Sequence, residues 1–184
     1  ALEYYHLAAE QNHAAAQYNL GLYYKNQKSP SKDEKKAFSF FEKSANQNNI
    51  DSQYFLGIFY QEGLGVEKND AEAVRWFSLS AEQGCLWSQN SLGRCYKLGL
   101  GVTKSFYDGA KWYLKAASSG YSISQHNLAF CYKCGEGVPR FDRLALFWFE
   151  SSAQHGDKDA EYHTGMYYLH GANPHHYMPP SVQQ

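Results

Sequence analysis

The stretch DSQYFLGIFYQEGLGVEKNDAEAVRWFSLSAEQG, residues 51–84, decides the fold. Ser52, Leu56, Phe59 and Tyr60 fall on one side at helical spacing, which predicts a helix over about 51–62. Gly63 ends it as a left-handed cap, and Gly65 and Val66 follow in a short loop. A second helix is predicted over about 70–83, with Asp70 as its amino-terminal cap and Val74, Phe77 and Ala81 in one stripe beside Trp76. Gly57 sits inside the first helix, where it costs about 1 kcal/mol relative to alanine. The bare position predicts that a neighbouring helix comes close there.

The same residues return on either side with a period of 36. Gln17, Gln53, Gln89 and Gln125 keep one register, with Glu161 closing the series. Leu20, Leu56, Leu92 and Leu128 follow, then Gly21, Gly57, Gly93, Ala129 and Gly165, and Tyr24, Tyr60, Tyr96, Tyr132 and Tyr168. On the second helix two aromatic columns run side by side: Tyr4, Phe40, Trp76, Trp112, Trp148 and Tyr5, Phe41, Phe77, Tyr113, Phe149. Gly84, Gly120 and Gly156 turn the chain into the next repeat. A hairpin of two helices cannot bury two aromatics by itself, and stacking covers them. The reading is all-α: an α/α solenoid, a right-handed superhelix of stacked helical hairpins, in one array over residues 1–171. Its repeats lie near 1–36, 37–72, 73–108, 109–144 and 145–171. Residues 172–184, with Pro174, Pro179 and Pro180, are expected to be extended or disordered.

Ser52, Leu56, Gly57, Tyr60, Gly63, Gly65, Val66, Ala73, Trp76, Phe77 and Ala81 together resemble the Sel-1-like repeat, a relative of the tetratricopeptide repeat. The resemblance covers Ala1 to about Gly171. It departs from the pattern in the first loop, where Gln27 and Ser29 replace both glycines, and at Asn173. It implies a scaffold without catalysis, with the first helix of each repeat lining a concave groove.

Composition narrows the partners. Against 17 Lys and Arg stand 18 Asp and Glu, so nothing points to nucleic acid or an anionic membrane. No apolar run is long enough to insert into a bilayer. The chain begins at Ala1 within a helical pattern and reads as a piece of a longer protein. Cys95 and Cys131 share a column with Tyr23, Phe59 and Tyr167, so they read as buried reduced thiols, favouring an intracellular setting.

No catalytic, cofactor or metal site emerges. Cys131-x-x-Cys134 has metal spacing but no second pair, and His126 lies five residues before Cys131 on the same helix. Cys134 is also at the wrong end of its helix for a redox thiolate. His163, His170, His175 and His176 cluster near one end without a fixed ligand geometry. The glycine loops are caps, not phosphate cradles. No nucleophile motif appears.

By the resemblance, three varying columns face the groove. They contain Tyr18, Tyr54, Asn90, His126 and Tyr162; Leu22, Ile58, Arg94, Phe130 and Met166; and Lys25, Gln61, Lys97 and Lys133. Aromatics mixed with arginine are typical of interface centres. The expected function is a protein-interaction adaptor that holds a peptide or partner protein on this face. A regulatory repeat region of a larger enzyme is the alternative. Self-association through uncapped repeat ends is a further expectation.

Overall fold

The computed structural model describes residues 2–26 and 32–169. These form ten helices and, among the described residues, no strand. The chain divides into two compact units, Ala1–Ser105 and Phe106–Gln184. Unit 1 holds α1 (Leu2–Glu10), α2 (Ala14–Lys25), α3 (Glu34–Ala45), α4 (Ile50–Glu62), α5 (Asp70–Glu82) and α6 (Leu86–Leu98). Unit 2 holds α7 (Phe106–Ser118), α8 (Ser122–Cys134), α9 (Asp142–Ala153) and α10 (Lys158–Leu169). Even-numbered helices are the first type of the repeat and odd-numbered ones the second. The fold is therefore an all-α solenoid of helical hairpins. The tail after Leu169, with His170, His175 and His176, and the positions of Gln27 and Ser29 lie outside the described residues.

In unit 1, α3 and α5 each press an aromatic onto the bare glycine of the helix before them. A Cβ added at Gly21 would lie 2.6 Å from the Phe41 ring, and one at Gly57 would run into Phe77. Phe41 then stacks on Phe55 of the following first-type helix, with centroids 4.8 Å apart. In unit 2, Phe149 packs in the same way over Ala129, between α8 and α10. The ring thus fills the space between two first-type helices, and the predicted close approach is what the glycine permits.

The index glutamine fastens the turn between hairpins. Its Nε2 donates to a carbonyl eight residues back: Gln17 to Ala9, Gln53 to Ala45, Gln89 to Ala81 and Gln125 to Ala117. These glutamines are buried, so their hydrogen bonds offset a real desolvation cost. At the turn itself, Asn12, Asn48, Gly84, Gly120 and Gly156 all have positive φ. The column changes identity because asparagine also reaches the left-handed region.

The helix caps need one correction. α5 starts at Asp70, but its cap is Asn69, whose Oδ1 accepts from the amides of Ala71 and Glu72 at 3.1 Å. Asn69 alone has the extended backbone of a cap, φ −148°, while Asp70 is already helical and places its charge favourably in the first turn. Gly63, Gly99 and Gly135 are left-handed caps as expected.

Candidate partner-binding face

In unit 1 the first-type helices carry a row of partly covered rings. Tyr18 on α2 packs 6.1 Å from Phe55 on α4. Beside it on α4, Tyr54 stands 5.7 Å from Trp87 on α6. Lys25 caps Phe55, its ammonium 4.7 Å from the ring centre. Burial, then the charge of Asp51, raises the Tyr18 hydroxyl above its ordinary pKa. Tyr54 is raised by burial and by Cys85. Both phenols therefore stay protonated and can donate hydrogen bonds at neutral pH.

Unit 2 repeats this arrangement with imidazoles. Three periods after Tyr18 and Phe55 come His126 and His163, their rings 6.3 Å apart. His163 stacks on Phe149 at 4.8 Å, as Phe55 stacks on Phe41. Lys133 takes the place of Lys25, its Nζ 3.5 Å from Nδ1 of His163. Nδ1 of His126 lies 2.9 Å from Oδ2 of Asp157, close enough for an ion pair but off the axis of a hydrogen bond. Burial, then Lys133 and His126, holds His163 below the ordinary imidazole pKa. For Asp157, burial pushes the pKa up, but the amide of Ala160, the Ser152 hydroxyl, His126 and the Asp159 amide outweigh it and lower it.

The other expected positions divide between surface and packing. In unit 1, Leu22 packs partly against the core and Ile58, Asn90 and Lys97 are half-buried, while Arg94 is exposed. Gln61 is buried to 7% exposure and donates to Glu62 Oε1, so it offers a partner little. In unit 2, Phe130 packs 5.3 Å from Phe149, Met166 is half-buried and Tyr162 is 63% exposed. Sequence reading missed Phe55, Trp87 and His163. The signal was present: Phe55 and His163 are equivalent positions, one residue on from the tyrosine column.

Cys85, Cys95, Cys131 and Cys134 are all free thiols. Cys95 is buried, which pushes its pKa up to about 11, and it stays protonated and inert. Among the described residues no three His, Cys, Asp or Glu side chains converge to hold a metal ion. No described helix is long and apolar enough to cross a membrane.

Helical hairpins that seat an aromatic on a small residue, glycine at Gly21 and Gly57 and alanine at Ala129, and recur every 36 residues define a helical tandem-repeat protein. The chain belongs to the Sel1-repeat family: the Sel1 repeat matches residues 1–13, 14–49, 50–85, 88–121, 122–157 and 158–181. Proteins of this family are generally non-catalytic scaffolds for protein interactions. Among solved structures, the chain is similar to c5321, a protective antigen of uropathogenic Escherichia coli with this fold, at 38% identity and a TM-score of 0.87. That match covers 91% of this chain but 36% of the antigen, so the chain spans about a third of that relative's length. A Sel1 repeat protein from Oxalobacter formigenes is 34% identical with a TM-score of 0.85, over 95% of this chain and 71% of its own. Cysteine rich protein B of Helicobacter pylori shares the fold at 23% identity and a TM-score of 0.57, over 74% of this chain and 98% of its own. No curated protein matches the chain significantly.

Proposed function

We propose that the chain is a non-catalytic adaptor that holds a peptide segment or partner protein against the open side of its first-type helices. The observation that carries this reading is the row of partly covered rings, Tyr18, Phe55, Tyr54 and Trp87, running across α2, α4 and α6. Second-type helices bury Phe41 and Phe77 completely, whereas this row keeps aromatic surface available beside the Lys25 ammonium. Rings already packed on one another lose little side-chain freedom when a partner covers them, so more of the buried area appears as affinity. Lys25 on that row, and Arg94 exposed two turns beyond Trp87 on α6, suit a peptide with an acidic group near an apolar anchor.

The test is affinity capture from a lysate of the source organism, with the intact chain beside an Arg94→Glu, Lys97→Glu variant. Proteins retained by the intact chain and lost by the variant, at unchanged melting temperature, support the reading. Equal recovery by both moves binding off this face. A lowered melting temperature makes the two side chains structural and overturns the assignment.

A further inference from the structure

On unit 1 a cavity of about 330 Å³ opens where the amino ends of α4 and α6 meet, lined by Ile50, Asp51, Gln83, Cys85, Leu86 and Trp87. Two apolar side chains stand open beside it: Trp87 is 48% exposed and Ile50 36%. Trp87 is held on one side by Tyr54, which fixes the indole and leaves the rest of its surface to solvent. Two of the other three tryptophan rings carry a cation from their own helix: Arg75 lies 4.4 Å from the Trp76 ring and Lys115 lies 5.0 Å from that of Trp112. Trp87 carries none among the described residues. Asp51, on the same cavity wall, likewise makes no ion pair among the described residues. An open indole and a carboxylate without a side-chain counter-ion therefore share one hollow.

We propose that this hollow seats an arginine side chain of a bound peptide. The guanidinium lies on Trp87 and bonds to Asp51, and an adjoining aliphatic residue rests on Ile50 and Leu86. A planar, weakly hydrated guanidinium suits this combination better than an ammonium, because it stacks on the indole and still donates in its plane. The amino end of α6 works against a cation, since Cys85 supplies no side-chain cap. The amino end of α4, where Asp51 lies in the first turn, adds a second partial charge of about half an elementary unit, and the two roughly offset the full unit on Asp51. The guanidinium is therefore held by direct contact with the carboxylate and the indole face rather than by a negative field.

The seat also orients the peptide. Arg94 is seven residues beyond Trp87 on the same face of α6, roughly 10 Å along the helix. Three residues of extended peptide cover about that distance. Arginine at the Trp87 end therefore brings an acidic side chain three positions along to Arg94. This assignment rests on the proposed binding face and names the chemistry that face selects.

The probe is acetyl-Arg-Leu-Ala-Glu-amide, titrated into the full chain and followed through the indole N–H resonances in nitrogen-15 correlation spectra. Trp87 is assigned by its loss in Trp87→Phe. The expected result is a saturable shift of the Trp87 indole. Citrulline in place of arginine, or Asp51→Asn in the protein, should weaken binding about fivefold or more, as loss of a charged contact to a ring and carboxylate would. Unchanged melting of Asp51→Asn shows that the site, not the fold, was altered. Binding that survives citrulline or Asp51→Asn overturns the proposal, as does no shift at millimolar peptide. Tighter binding when glutamate replaces the arginine also overturns it, in favour of an anion at the α6 amino end. If the arginine seat fails while capture still depends on Arg94 and Lys97, the binding face stands and only this assignment falls.

Discussion

At Gly57 an added methyl would run into the Phe77 ring, whereas at Gly165, the equivalent position on α10, it would meet nothing within 4 Å. The same substitution should therefore have opposite signs. Gly57→Ala should destabilise by about 1–2 kcal/mol, because overpacking exceeds the gain in helix propensity. Gly165→Ala should stabilise by up to about 1 kcal/mol. Urea midpoints of the two variants check this. A second prediction concerns buried oxygen atoms. Gln47 donates to Gln17 Oε1 and Gln83 to Gln53 Oε1, yet Gln125 Oε1 is buried without a partner among the described residues. The position that should supply the donor is His155, whose ring bonds to the Ser151 carbonyl. His155→Gln should restore the bond and raise stability by about 1 kcal/mol in thermal melts.

At the scale of the helix, α10 depends on an imidazole where α4 depends on a phenyl ring. Because His163 has a lower pKa folded than unfolded, the unfolded chain binds more protons. Its contribution is complete above about pH 6.5 and is lost as pH falls from there toward the folded value. Protonation also sets a second cation against Lys133. Asp157 has the opposite character: its depressed pKa favours folding above the ordinary carboxylate range, a contribution lost only at more acidic pH. Unit 2 should therefore begin to loosen before its carboxylates titrate. His163→Phe, copying Phe55, should flatten stability against pH just below about 6.5, read from denaturant midpoints across that range. Helix types, glycine caps and core columns were legible because identical residues recur every 36 positions. Asn12 and Asn48 escaped because the turn needs a conformation, which two residue types can adopt. Gln61 was misjudged because its column mixes lysine with glutamine, and only packing decides which one is buried. The His126–Asp157 pair was invisible: its members are far apart in sequence and neither belongs to a repeated motif.

For the whole molecule, helices pack chiefly against their neighbours in sequence, so damage should stay local. Gly137 has φ +76°, and a Cβ there would collide with the Phe106 carbonyl at the start of α7. Gly137→Ala should cost about 3 kcal/mol from left-handed strain and the clash together. Amide exchange should rise first in α7–α9, with α2–α4 unchanged. Uniform acceleration along the chain would contradict that locality. Gly65 meets the backbone of Glu34, and Gly101 that of Asp70, in the same manner. At each of these places a loop rests its bare α-carbon on the opening peptide of the second-type helix one repeat earlier. Such a joint admits no filler. A residue inserted into the loop would lift the following hairpin off its seat, whereas a complete repeat carries its own joint and can be copied or excised intact. The chain is thus built to change length by whole hairpins, and these glycines make its gene tolerant of duplication and intolerant of small insertions.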